Sequence, residues 1–329
     1  MTSDLTEVTV IGSDKKGIIA RVTTLLFERG VNVEDLDQAV QDGVFRMTLH
    51  VDTSDMVVKP ETLREALHDL GEELGQEIRV RFPSDRETRR IAVLVTKESH
   101  CLEALIAARD AGEIDAELSV VVGNHDDLAP VAEAADIPFY DVGDGAGVPD
   151  EEWLIDVLDE HDVDLVVLAR YMRILGPNVV FRYEGRIINV HPSLLPAFPG
   201  AEAYRQAREE GVRIAGVTAH YVTTDLDQGP VVAQRAFDVP DGATVEELEA
   251  RGQPLEAEAL VEAVKLHLDG ALAVYHGRTH LREEADGDYQ LGLPEEAQAA
   301  NPETPVDANK RDREGEGATA GVEAGSDDD

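Results

Sequence analysis

Short runs rich in β-branched residues alternate with amphipathic helical segments through the middle of this chain, and that alternation restricts the folds open to it. Ile91–Val95, Ala116–Val122, Ile137–Tyr140, Leu165–Ala169 and Ile187–Val190 read as strands. Cys101–Ala111, Leu128–Ala135 and Glu151–Glu160 read as helices between them. The strand runs are almost continuously apolar, as strands buried on both faces must be. Such alternation predicts an α/β domain with a mostly parallel sheet covered by helices on both sides. Beyond Gly200 the pattern changes. A helix near Tyr204–Glu210 precedes two segments, Ile214–Tyr221 and Pro230–Phe237, that suit an antiparallel pair, and a long helix over Val245–Leu268 closes the domain.

Residues 5–83 carry a separate pattern. Glu7–Ile11 reads as a strand, followed by a helix with Ile18, Val22, Leu25 and Leu26 on one face. Gly30 suits the C-terminal stop of that helix. Val31–Val40 and Val44–Val51 read as a hairpin, with Asp42-Gly43 as its turn signal. An amphipathic helix over Pro60–Leu74 and a strand at Glu77–Phe82 complete a βαββαβ order, a small two-layer unit. The polar stretch from Pro83 to Thr88 reads as a linker, so the expected domains are 1–84 and 85–282. Residues 283–329 hold 15 acidic and three basic residues. They have too little apolar surface to offset ordering entropy, and a disordered acidic tail is expected there.

The charge balance excludes some partners. Asp and Glu number 68 against 29 Lys plus Arg, a net charge of −39. Nucleic acid and anionic membrane surfaces would be repelled. Only six of the basic residues are Lys, and this balance suggests a protein adapted to high salt, which screens self-repulsion. One cysteine, Cys101, excludes an internal disulfide and a cysteine-cluster metal site. No signal-peptide pattern or 18-residue apolar run is present, so a cytoplasmic location is expected.

Chemistry concentrates at Arg186-Ile-Ile-Asn-Val-His-Pro-Ser-Leu-Leu-Pro-Ala-Phe-Pro-Gly200. Asn189 and His191 are two apart at the end of a strand and therefore face the same way. Pro192 holds His191 extended and ends the strand. Ligands of open α/β sheets bind beyond the carboxyl ends of strands. There an amide donor beside a proton-transferring imidazole suits attack on a carbonyl. The same pattern also suits a plain strand-to-loop turn with a solvated His. Downstream, His220 ends a strand, and Asp227 precedes a Gln228-Gly-Pro230 turn. A carboxylate beside His191 would favour its protonated form and could orient a water molecule. His220 reads equally as a packed or a supporting histidine.

Other segments narrow the reading. Tyr171-Met-Arg-Ile-Leu-Gly-Pro177 follows a strand and could offer backbone groups and an apolar wall to a heterocycle. The turn Thr96-Lys-Glu-Ser-His-Cys101 has no glycine and contains Glu98, which argues against a phosphate cradle. No G-x-S-x-G elbow and no H-E-x-x-H motif occur. His125-Asp-Asp127 reads as a helix-capping loop rather than a metal cluster. No metal or cofactor is expected.

Asn189-Val-His191-Pro-Ser-Leu-Leu-Pro together with Asp227-Gln-Gly-Pro230 resembles the folate-dependent formyltransferase family. Val95–Leu102, Val122–Asp126, Leu168–Arg173 and Thr218–Val222 resemble the branch of that family that hydrolyses 10-formyltetrahydrofolate. The N-terminal unit resembles an ACT domain, which that branch carries. The resemblance runs from about residue 5 to 281. It implies a ferredoxin-like ACT domain followed by a Rossmann-like formyltransferase domain. It also implies release of formate, which feeds purine synthesis and balances the one-carbon pool.

By the same resemblance, Asn189, His191 and Asp227 are catalytic, and His220 supports them. Met172, Arg173, Ile174, Leu175, Thr223, Thr224 and Asp225 bind the folate. Asp14, Gly17 and Asn32 form a small-ligand site, where an amino-acid effector would bind at an edge-paired interface in a homo-oligomer. Two alternatives stay open. One is formyl transfer to glycinamide ribonucleotide, toward which Pro192 leans, since the hydrolytic branch commonly has a second His there. The other is an amino-acid-sensing regulatory protein.

Overall fold

The computed structural model describes residues 5–82, 88–275 and 277–282. The N-terminal unit consists of β1 (Thr6–Ser13), α1 (Ile18–Glu28), β2 (Asn32–Gln41), β3 (Val44–Asp52), α2 (Pro60–Leu74) and β4 (Gln76–Arg81). Its sheet order is β2-β3-β1-β4, with every pairing antiparallel. The hairpin turn falls at Asp42-Gly43, both with positive φ (50° and 81°), the geometry for which Asp-Gly is suited. Alternation along β1 separates two faces. Val8 and Val10, with Met47 and Leu49 of β3, pack against Ile18, Val22 and Leu26 of α1 and Leu63 and Leu67 of α2.

The second sheet contains β5 (Arg90–Val95), β6 (Glu117–Gly123), β7 (Phe139–Asp141), β8 (Leu165–Ala169), β9 (Ile187–His191), β10 (Ile214–Tyr221) and β11 (Val231–Asp238). Its order is β11-β10-β9-β8-β5-β6-β7. β5 to β9 pair in parallel, while β10 and β11 are antiparallel to their neighbours. One face is covered by α5 (Glu151–Glu160) and α6 (Pro177–Arg182). α3 (His100–Asp110) packs on α8 (Val245–Leu268), which lies against β9, β10 and β11. A 3₁₀ turn at Asp126–Leu128 leads into α4 (Ala129–Ala134), and α7 (Ala203–Glu209) follows the Gly200 loop. α8 starts with a Thr244–Glu247 capping box and continues through Pro254.

Several features differ from the sequence reading. α6 was not anticipated; it is six residues long and starts at a Gly-Pro step, too short for an apolar period to register. A hairpin of β12 (Leu272–Tyr275) and β13 (Arg278–Leu281) follows α8, also unanticipated. His125 precedes the 3₁₀ turn, but no side chain caps it. The expected acidic tail from 283 lies outside the described residues, as does most of the linker, residues 83–87.

The outer face of the N-terminal sheet docks on the amino-terminal ends of the second sheet through ion pairs. Arg46 pairs with Glu184, Glu77 with Arg182, Arg79 with Asp159, Arg81 with Asp164 and Glu7 with Arg186. The carboxyl ends, where ligands of such sheets bind, therefore lie on the side away from this docking.

Candidate active site

The ends of β8 and β9 and the loops after β9 and β10 enclose a cavity of ≈ 520 Å³. Asn189, His191, His220 and Asp227 all line it. β9 ends at His191, so strand alternation turns Asn189 and His191 to one face, as their spacing predicts. Antiparallel pairing sets His220 of β10 directly opposite Asn189. Asp227 arrives from the loop after β10. That turn needs glycine: a Cβ at Gly229 would overlap the Tyr221 carbonyl oxygen, so only glycine lets the chain pass close enough.

Hydrogen bonds orient each side chain. His220 Nδ1 lies 2.9 Å from the Tyr221 carbonyl oxygen, so Nδ1 carries the proton and Nε2 is an acceptor. Asn189 Nδ2 lies 3.2 Å from His220 Nε2 and donates to it. One amide N–H is thereby spent, and the other remains for the cavity. Burial lowers the His220 pKa from its ordinary value of 6.5, against the opposing effects of the Tyr221 carbonyl and Asp227. A neutral His220 fits its acceptor role. His191 Nε2 donates to the Phe198 carbonyl at 2.8 Å, which leaves Nδ1 3.3 Å from Asp227 Oδ2. Asp227 Oδ2 also accepts from the Gly200 N–H at 2.7 Å, while Oδ1 lies 3.7 Å from His220 Nε2. The His191 and Asp227 side chains are only 6% and 7% exposed, so their contact lies in a poorly solvated setting.

Residues 89–264 match the family model of formyl transferase, and residues 7–81 that of the ACT domain. The chain is 36% identical to formyltetrahydrofolate deformylase of Bacillus subtilis (strain 168), over 81% of this chain and 90% of that protein. The chain belongs to the formyltetrahydrofolate deformylase family. A crystal structure of a formyltetrahydrofolate deformylase from Pseudomonas syringae pv. tomato superposes with TM-score 0.58 at 29% identity, covering 85% of this chain and 94% of that one. Glycinamide ribonucleotide transformylase 1 from Symbiobacterium toebii has TM-score 0.57 at 35% identity but covers only 60% of this chain. Deformylase-family proteins therefore match across both domains, and this transferase across a smaller part.

Most of the folate-contacting residues expected for a deformylase family member line the same cavity: Met172, Arg173, Ile174, Leu175, Thr223 and Thr224. The segment after β8 divides its side chains. Tyr171 and Leu175 pack into the core, whereas Met172 and Ile174 are 54% and 71% exposed. Met172 N–H donates to Thr96 Oγ1 at 2.9 Å, which ties this loop to the turn after β5. Asp225 is the exception. It is exposed, does not line the cavity, and supplies a carbonyl that accepts from Gln228 N–H and Thr223 Oγ1. Tyr204 and Arg205 of α7 and Val245 and Glu249 of α8 also line the cavity. They have no sequence motif, and only the return of α7 and α8 over the sheet brings them there.

The residues expected to form an effector site do not meet within one chain. Asp14 and Gly17 follow the Ser13 end of β1, which pairs with Val44. Asn32 pairs with Asp52, next to the Val51 that pairs with Thr6. They sit at opposite ends of the sheet, roughly 20 Å apart by the rise of a strand.

His100, Cys101 and Glu256 bring potential metal ligands within 4.8 Å of one another. They suit a metal poorly. Glu256 is fully buried and already holds Tyr204 Oη at 2.6 Å, His100 Nε2 at 3.0 Å and Arg170 Nε at 3.4 Å. Burial alone would raise the Glu256 carboxyl, but hydrogen bonds from His100 and Tyr204 and the Arg170 charge hold it below its ordinary value. Burial, with Glu256 nearby, pushes the Cys101 thiol well up, which keeps it protonated.

Proposed function

We propose that this chain hydrolyses 10-formyltetrahydrofolate to tetrahydrofolate and formate, with Asn189, His191 and Asp227 as its catalytic residues. The observation that carries the reading is the convergence of these three on one cavity, with His191 Nδ1 3.3 Å from Asp227. Family membership supports it. The pterin lies against Met172–Leu175 and the turn at Thr223–Asp227. Asp227 Oδ1 orients a water on the formyl carbon and accepts its proton. The unspent N–H of Asn189 and protonated His191 stabilise the oxyanion. His191 Nδ1 delivers its proton to N10 as the C–N bond breaks. The His191–Asp227 contact then returns a proton to the ring, and formic acid loses its own to solvent. No step calls for a metal or cofactor.

The match of residues 7–81 to an ACT domain supports regulation by a small ligand. An amino acid is the proposed effector. Because Asp14 and Gly17 stand far from Asn32, the site is completed by a second copy, which makes the working form a homo-oligomer. The net charge of −39 supports a halophilic protein. Among the described residues, no helix is long and apolar enough to cross a membrane; the enzyme is proposed to work in the cytoplasm.

One assay in high salt tests the reaction: 10-formyltetrahydrofolate supplied with and without glycinamide ribonucleotide, following formate. Formate without the amine supports hydrolysis. Turnover that requires the amine overturns it in favour of transfer.

A further inference from the structure

The sheet has a topological switch point between β5 and β8. The chain leaves β5 toward β6 on one side and leaves β8 toward β9 on the other. In open α/β sheets the crevice at that point takes the ligand, and an anionic group commonly rests on the backbone N–H groups of the first turn. Here the crevice is filled by the protein itself. Arg170, the first residue after β8, donates from Nε to Glu98 Oε2 at 2.9 Å and from Nη2 to Glu98 Oε1 at 3.1 Å. Glu98 lies in the turn after β5. Such a two-point fork is the strongest form of carboxylate–guanidinium pairing. Glu256, fully buried beneath, holds the same guanidinium at 3.4 Å.

Arg170 adopts φ +61°, a left-handed conformation rare for residues other than Gly, Asn and Asp. Strain of this kind persists where the surroundings impose it. From that backbone conformation the Arg170 side chain crosses the crevice to Glu98 and Glu256. Arg170 is already engaged by Glu98 and Glu256, so an incoming phosphate would meet two carboxylates at the place where it needs donors.

We propose that Glu98 and Arg170 determine acceptor specificity: their pair closes the switch-point crevice to phosphorylated acceptors and leaves water as the formyl acceptor. The proposal rests on the hydrolytic reading above. It differs from that reading in what it predicts for binding, which can be measured without folate.

The test titrates glycinamide ribonucleotide into the full-length wild-type protein, the isosteric variant Glu98→Gln, and the double variant Glu98→Gly/Arg170→Gly, by calorimetry in high salt. Glu98→Gln removes one carboxylate charge and releases Arg170 toward an anion. The double variant empties the crevice and relieves the backbone. The expected result is no measurable binding by wild type at millimolar ligand, and a gain of at least about tenfold in Glu98→Gln. In the double variant, formylated amine should also appear when 10-formyltetrahydrofolate is added. Wild type binding the nucleotide as tightly as Glu98→Gln would overturn the proposal, and so would a folded Glu98→Gln that binds no better than wild type. If the double variant fails to fold, Glu98→Gln decides alone. Failure of the hydrolytic reading shows separately, as absence of formate from wild type given 10-formyltetrahydrofolate alone.

Discussion

Asn189 Nδ2 donates to His220 Nε2 across the β9–β10 pair at 3.2 Å, and His220 Nδ1 is held by the Tyr221 carbonyl. A fully packed histidine thus sets which way the amide of Asn189 points. His220→Leu removes the acceptor and leaves the amide free to turn over. We expect kcat to fall by about tenfold or more with KM little changed, and His220→Gln to restore part of the loss. A shift confined to KM in steady-state kinetics would count against this role.

His220 also predicts a pH effect on stability. Its folded pKa lies below the unfolded value of 6.5, so the fold disfavours the charged ring. The unfolded state binds more protons in that window, and stability rises with pH across it. The contribution is complete above pH 6.5 and declines as pH falls below it. Thermal melts of wild type and His220→Gln from pH 7.5 to 5.5 should converge as the pH falls; parallel curves would refute the assignment.

Asn189→Ala and Asp227→Asn should each lower turnover by on the order of 100-fold or more while the far-ultraviolet spectrum and Tm stay near wild type. Asp227→Asn keeps the shape but loses the carboxylate proposed to take the water proton. Formate release at the wild-type rate from either variant would end the proposed mechanism.

Glu256→Ala removes the group that binds Tyr204, His100 and Arg170 together. It leaves a buried guanidinium with one partner fewer, a change that costs about 3–5 kcal/mol when a buried pair is broken. Chemical denaturation in high salt measures it, and a loss below about 1 kcal/mol would show that the cluster relaxes readily.

Salt should stabilise this protein. Raising ionic strength from about 0.1 M to 1 M shortens the Debye length from about 10 Å to 3 Å. The ion pairs between the two domains are mostly buried or half-buried and are screened little, whereas the net charge of −39 is screened. We expect the second effect to dominate and Tm to climb; a Tm that falls with added sodium chloride would contradict the halophilic reading.

Much of this architecture was legible in the chain because it rests on local rules. The period of two along β9 placed Asn189 and His191 on one face, and Asp42-Gly43 marked its hairpin. The Asn189-Val-His191 and Asp227-Gln-Gly-Pro230 motifs pointed to residues that line one cavity. Asp225 read as a folate contact, yet its side chain faces solvent, since a turn directs successive side chains in ways no periodicity encodes.

What the sequence by itself determined was the order of elements, the two-domain plan and the residue types that gather at the candidate site, each encoded over a few residues. What only the tertiary structure decided was partnership across long separations. His220 orients Asn189 from 31 residues away, Gly200 holds Asp227 from 27, and Arg170 reaches Glu98 from 72. Such pairs follow from how the sheet is ordered and which loops cross at its switch point, and that order comes from packing the whole core rather than from any local pattern.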